Sequence, residues 1–140
     1  MRFLLFISIL VATLNCTSAK KMGGSSNVLN ATWIPIKQVI GGKELPAVVF
    51  KNQQLIINDS NYTVVAESVD KGVVKYSQTK MDIYGKEGVN TGKHFTAIYK
   101  IEAEQLTICY NLAGTIYPET FETKDKPFYF LSLFKKDLLN

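Results

Sequence analysis

From residue 29 onward the chain is a succession of short runs in which apolar and polar residues alternate, separated by clusters of Gly, Pro, Asn, Asp and Ser. The stretch 105–112 shows this most cleanly. Leu106, Ile108, Tyr110 and Leu112 fall on one side of a two-residue period, and Thr107, Cys109 and Asn111 on the other. A period of two puts alternate side chains on opposite faces of a β-strand. The same reading gives strands over 32–40, 54–57, 62–67, 73–77, 80–84, 95–102 and 128–135, with a short one at 120–122. Turns are expected at Gly41-Gly42, at 58–61, at Asp70-Lys71-Gly72 and at 124–127, and a glycine-rich loop at 85–93. Beyond the amino-terminal segment, no window of a dozen residues keeps a helical period. Eight or nine strands spaced by roughly 8–12 residues specify an all-β domain. Short connections favour sequential antiparallel pairing, and a sheet this long exposes two edges unless it closes on itself. The expected architecture is therefore a small antiparallel up-and-down β-barrel of about eight strands.

Alternation also assigns a core. Phe95, Ala97, Tyr99 and Ile101 share a face, as do Leu106, Ile108, Tyr110 and Leu112, and as do Phe128, Phe130 and Phe134. The last strand is apolar on its other face too (Tyr129, Leu131, Leu133). It is expected to be covered on both sides, by the barrel interior and by a loop or the amino-terminal tether.

The amino end is read separately. Arg2 precedes an apolar run from Phe3 to Leu14, and small and polar residues follow, the pattern of a secretory signal. The run falls short of the ~20 apolar residues that span a bilayer as a helix. Two outcomes fit. Either residues 1–19 are removed after Thr17-Ser18-Ala19, or residues 1–15 are removed and Cys16 carries a lipid. Residues 20–28, with Gly23-Gly24-Ser25-Ser26, read as a flexible tether, and 29–137 as the barrel domain. The expectation is export, to a periplasmic, outer-membrane-anchored or extracellular location, with membrane contact only through a lipid on Cys16. In both cases Cys109 has no cysteine partner in the mature chain. It reads as a buried free thiol acting as a small hydrophobe, because no nearby cation or helix end supplies a depressed pKa.

The whole chain carries sixteen basic and twelve acidic residues, net +4. Loss of residues 1–19 removes Arg2 and no acid, leaving fifteen lysines against twelve acids, +3. The lysines are scattered rather than gathered among aromatics, which argues against nucleic-acid binding. With no arginine left, bidentate capture of phosphate or carboxylate is excluded.

A series of short signatures runs through the domain: Leu29 and Trp33 with Thr32 between them, Gly42-Lys43-Glu44-Leu45-Pro46, Asn61-Tyr62-Thr63-Val64, Met81-Asp82-Ile83, Gly92-Lys93, Ala97-Ile98-Tyr99, Leu106-Thr107-Ile108-Cys109, and Pro118 with Phe121. In order and spacing, over residues 29–136, the chain resembles a family of lipocalin-like secreted bacterial domains first described from planctomycetes. It departs from that pattern at Ala31, where glycine is usual, at Ala103-Glu104, where the family has a Gly-Asp turn, and at Tyr117, where it carries arginine. The resemblance implies a lipocalin-like barrel with Trp33 plugging the closed end, and brings no activity with it.

Candidate ligand-contacting residues are Trp33, Tyr62, Tyr99, Tyr110 and Phe130, since inward aromatics supply apolar walls and the tyrosines a hydroxyl tip. The mouth is expected between the loops 85–93 and 113–117. The sole histidine, His94, reads as a solvated loop residue, and Asp82 as an acid on the face opposite Met81 and Ile83. No carboxylate pair, catalytic set, metal site or cofactor is indicated. The expected function is non-catalytic binding of a small apolar or amphipathic ligand. The alternative is an envelope structural or interaction protein with a filled barrel.

Overall fold

Residues 27–139 are described from a computed structural model; the expected signal segment, Cys16 and most of the expected tether lie outside them. Nine strands follow in chain order: β1 (Ala31–Ile40), β2 (Lys43–Glu44), β3 (Gln54–Asn58), β4 (Asn61–Val65), β5 (Val69–Ser77), β6 (Lys80–Glu87), β7 (His94–Glu102), β8 (Gln105–Asn111) and β9 (Tyr129–Lys136). A single 3-10 turn, Ala47–Val49, lies between β2 and β3. Each strand from β3 to β9 pairs antiparallel with the next, β1 pairs with β3, and β9 returns to β1 from Trp33↔Lys136 to Ile40↔Phe130. The sheet is closed. It is an eight-stranded up-and-down barrel of lipocalin-like architecture, and β2 is a two-residue hairpin arm paired with the end of β1. Closure leaves no long edge exposed. The β1–β9 register slips between Pro35 and Lys37. Proline has no N–H to give a ladder, and Ile36 is left half-exposed there.

The two ends of the barrel differ. At one end β3–β4, β5–β6 and β7–β8 are joined by two-residue turns, Asp59-Ser60, Gln78-Thr79 and Ala103-Glu104. The first residue of each takes a left-handed backbone conformation, φ 54–55°. Trp33 and Leu29 are fully buried at this end, and the indole Nε1 donates to the Leu29 carbonyl at 2.9 Å. Tyr76 and Tyr99 meet edge to face, ring centres 6.3 Å apart. Asn30 closes the seal, accepting from the Asp59 amide and donating to its carboxylate. Asn27 and Val28, expected to belong to the tether, instead form a turn whose Asn27 side chain donates to the Asp59 carbonyl. The other end carries the short reversal 66–68, the segment 41–53 that includes β2, and the longer connections 88–93 and 112–128.

Three expectations are overturned. Residues 120–122 form no strand. They belong to the 112–128 connection, which folds over the outer face of the barrel. There the Ile116 carbonyl accepts from both Thr96 Oγ1 and Asn111 Nδ2, each at 2.8 Å, and the Lys100 ammonium lies over the Phe121 ring. Phe128, at the end of that connection, is exposed rather than in the core. Asp70-Lys71-Gly72 is not a turn but part of β5; the chain reverses at 66–68. The glycine serves close approach instead of reversal, because Tyr62 packs against it from β4 and the Tyr84 carbonyl from β6.

The inward faces carry the core as alternation requires: Phe95, Ala97, Tyr99 and Ile101 on β7, and Leu106, Ile108 and Tyr110 on β8. On β9 Phe130 and Phe134 point inward with Ser132 between them, fully buried, its hydroxyl without a partner. A buried hydroxyl left unpaired costs roughly 1–3 kcal/mol. Ser132→Ala is therefore expected to leave stability unchanged or raise it by about 1 kcal/mol, read as the urea midpoint at constant m-value.

Candidate functional site

Inward side chains of β3 to β9 leave an open space inside the barrel. The cavity measures about 240 Å³. Ile57, Val74, Met81 and Ile108 supply aliphatic wall, and Phe95, Tyr110 and Phe130 supply rings. Tyr110 and Phe130 stack at 5.6 Å. A chamber of about 80 Å³ adjoins it, sharing Leu55, Val64, Tyr110 and Phe130 and bounded by Gln38 and Ser132. Gln38 is itself buried and donates to Gln53.

The wall holds one charged residue, Asp70, buried and facing inward from β5. Its carboxylate accepts from the Tyr62 hydroxyl at 3.2 Å and from the backbone and side-chain N–H groups of Asn90 at 3.0 Å each. Burial, reinforced by the neighbouring Asp70 charge and hydrogen bond, pushes the Tyr62 phenol well above its ordinary value. Burial does the same to Tyr110. Asn90 belongs to the 88–93 loop, which is tied to itself: Gly85 N–H donates to the Lys93 carbonyl, Gly92 N–H to the Gly85 carbonyl and Thr91 Oγ1 to the Gly88 carbonyl. That side of the mouth is a fixed clasp held to the barrel by Asp70.

The residues singled out from the sequence separate into two groups. Tyr62, Tyr110 and Phe130 line the cavity together. Trp33 and Tyr99 sit below it, in the seal of the closed end. Cys16 lies outside the described residues. Of the two loops expected at the mouth, 88–93 contributes Asn90, whereas 113–117 leaves the rim and runs down the outside wall. The cavity also takes in Asp70 and Asn90, which the sequence alone does not single out. Asp70 was hidden by a turn-like triplet, although extending the alternation of Tyr76 and Val74 back through Gly72 leads to it.

His94 is solvent-exposed, as expected, but belongs to a strand and not to a loop. It opens β7 opposite Tyr84 of β6, stacks on that ring at 4.5 Å, and its Nε2 lies 2.7 Å from Asp82 Oδ1. The Tyr117 hydroxyl donates to the other Asp82 oxygen, so the residue standing where the resembled family has arginine pins the 112–128 connection to β6. Burial raises the Asp82 pKa, but hydrogen bonds from Tyr117 and His94 outweigh it and hold the carboxyl below its ordinary 3.8. A depressed carboxylate contributes stability above its unfolded pKa and loses it as pH falls through the folded value. Tyr117→Phe should therefore be less stable than the parent by a constant margin above about pH 4, with the gap closing below it. Urea melts of both proteins across an acid series check this.

Cys109 faces outward on β8 yet is fully buried, opposite Leu131 of β9 and Ile98 of β7. Burial pushes its thiol up to about 11, with Lys126 pulling slightly the other way. It is a free thiol and a packing residue, remote from the thiolate state that nucleophiles require. Among the described residues no cluster of three or more His, Cys, Asp or Glu side chains is placed to hold a metal ion.

Fold and site together define a class: a closed eight-stranded β-barrel, sealed at one end by Trp33, with an apolar cavity and a single inward carboxylate toward the other. No family model, curated protein or solved structure matches the chain.

Proposed function

We propose that the protein is an exported or lipid-anchored binding module that holds a small apolar or amphipathic molecule inside its barrel and performs no chemistry on it. The observation that carries this reading is the cavity of about 240 Å³, walled by aliphatic and aromatic side chains and reaching the 88–93 loop at Asn90. A dry apolar cavity of about 150 Å³ takes up benzene, so one of this size suits a somewhat larger guest. Ligand sites are characteristically concave and mostly apolar, with a few placed polar groups, here Asp70, Asn90 and Tyr62. The leader-like segment 1–19, the Cys16 alternative and the resemblance to lipocalin-like secreted domains support export. The filled-barrel alternative, a scaffold acting through its outer surface, is disfavoured by the same open space.

The test is native mass spectrometry on protein released by mild extraction, compared with a Val74→Trp variant whose indole would occupy the cavity. A retained small molecule in the parent, lost in the variant, is the expected result. Parent and variant both empty, with neither taking up added decanol, would remove the proposal and leave the scaffold reading.

A further inference from the structure

The cavity's charge pattern selects among guests. Asp70 is buried, lines the cavity and accepts three hydrogen bonds, all from uncharged donors. The ion pairs among the described residues join other groups: Lys37 with Glu44, Lys71 with Glu87, His94 with Asp82 and Lys100 with Glu102. No lysine or histidine lines the cavity. A buried carboxylate without a counter-cation is costly, and it repels a second anion brought to the same wall. Its remaining acceptor capacity suits an N–H donor, most strongly a charged one. Beyond it the walls are aliphatic and aromatic, suited to a short hydrocarbon chain or a ring.

Resting on the binding reading above, we propose that the barrel takes cationic amphiphiles, an ammonium-type head group at Asp70 with its apolar body among Ile57, Met81 and Ile108, and discriminates against carboxylate amphiphiles of the same length. The protein's net charge of +4 would favour the opposite order through long-range attraction. A preference for the amine therefore reports the local carboxylate and not the overall field.

Decylamine, decanol and decanoate share a chain and differ in head group. Calorimetric titration at neutral pH, below their micellar concentrations, should rank them in that order, the amine at least about tenfold tighter than the carboxylate. Asp70→Asn should erase most of the difference between amine and carboxylate. Should that variant fail to fold, the ranking in the parent protein still decides. Equal binding of all three, or tighter binding of decanoate, overturns this inference while leaving a binding barrel in place. Binding of none overturns the binding reading itself.

Discussion

Trp33→Ala is expected to remove about 3–5 kcal/mol of folding stability, a large share of the 5–15 kcal/mol typical of a whole domain. The indole is the largest fully buried side chain and packs with Leu29 at the closed end. Truncation leaves a void that the two-residue turns around it cannot collapse to fill, and it orphans the Leu29 carbonyl that the indole N–H satisfies. Trp33→Phe keeps most of the apolar volume and loses the hydrogen bond, so about 2 kcal/mol is expected. Since Trp33 is the only tryptophan, its own fluorescence cannot follow the variants. Urea unfolding monitored by far-ultraviolet circular dichroism gives both numbers. A loss under 1 kcal/mol for the alanine variant would mean that the closed end is not sealed by this residue.

Gly72→Ala is expected to be nearly as damaging for a different reason. An added Cβ would collide with the Tyr84 backbone carbonyl and come within 2.6 Å of the Tyr62 ring. The carbonyl belongs to the paired strand and can retreat only by opening the β5–β6 ladder, beside the register slip at Lys71/Gly72. The expected cost is at the upper end of the ~1–3 kcal/mol typical of overpacking. It should come with displacement of Tyr62 from Asp70, so the Tyr62 phenol should ionise closer to its ordinary value in a spectrophotometric alkaline titration. Gly92→Ala is the matched control. It adds a Cβ at φ +78° with nothing within 4 Å, so only the backbone penalty of about 1 kcal/mol remains.

Strand identity and barrel closure were legible because alternation and turn spacing act locally and repeat along the chain. Runs such as 95–102 and 105–112 carry both faces in plain view, and the short connections leave few topologies open. What alternation does not carry is the identity of the outside cover. Thr96, Cys109 and Asn111 are outward residues buried under the 112–128 connection, and that connection has no period of its own; Thr120-Phe121-Glu122, a ring between two polar residues, resembles a short strand only locally. The cavity was legible in part. Tyr62, Tyr110 and Phe130 follow from inward-facing rings, but depth along the axis depends on strand tilt, and this put Tyr99 and Trp33 into the seal and not the wall. Asp70 is masked in the sequence because Asp70-Lys71-Gly72 has turn chemistry. Only the three-dimensional demand of the Tyr62 ring for space explains a glycine in mid-strand.

The claim on which the rest depends is that the barrel interior is open and admits an apolar guest. Intermolecular nuclear Overhauser effects between decanol and methyl-labelled protein test it most directly. The account predicts cross-peaks from the alkyl chain to the Ile57, Met81 and Ile108 methyls, which face the cavity from β3, β6 and β8. Cross-peaks confined to exposed residues such as Leu138 and Leu139, with those three methyls silent at saturating decanol, would contradict it.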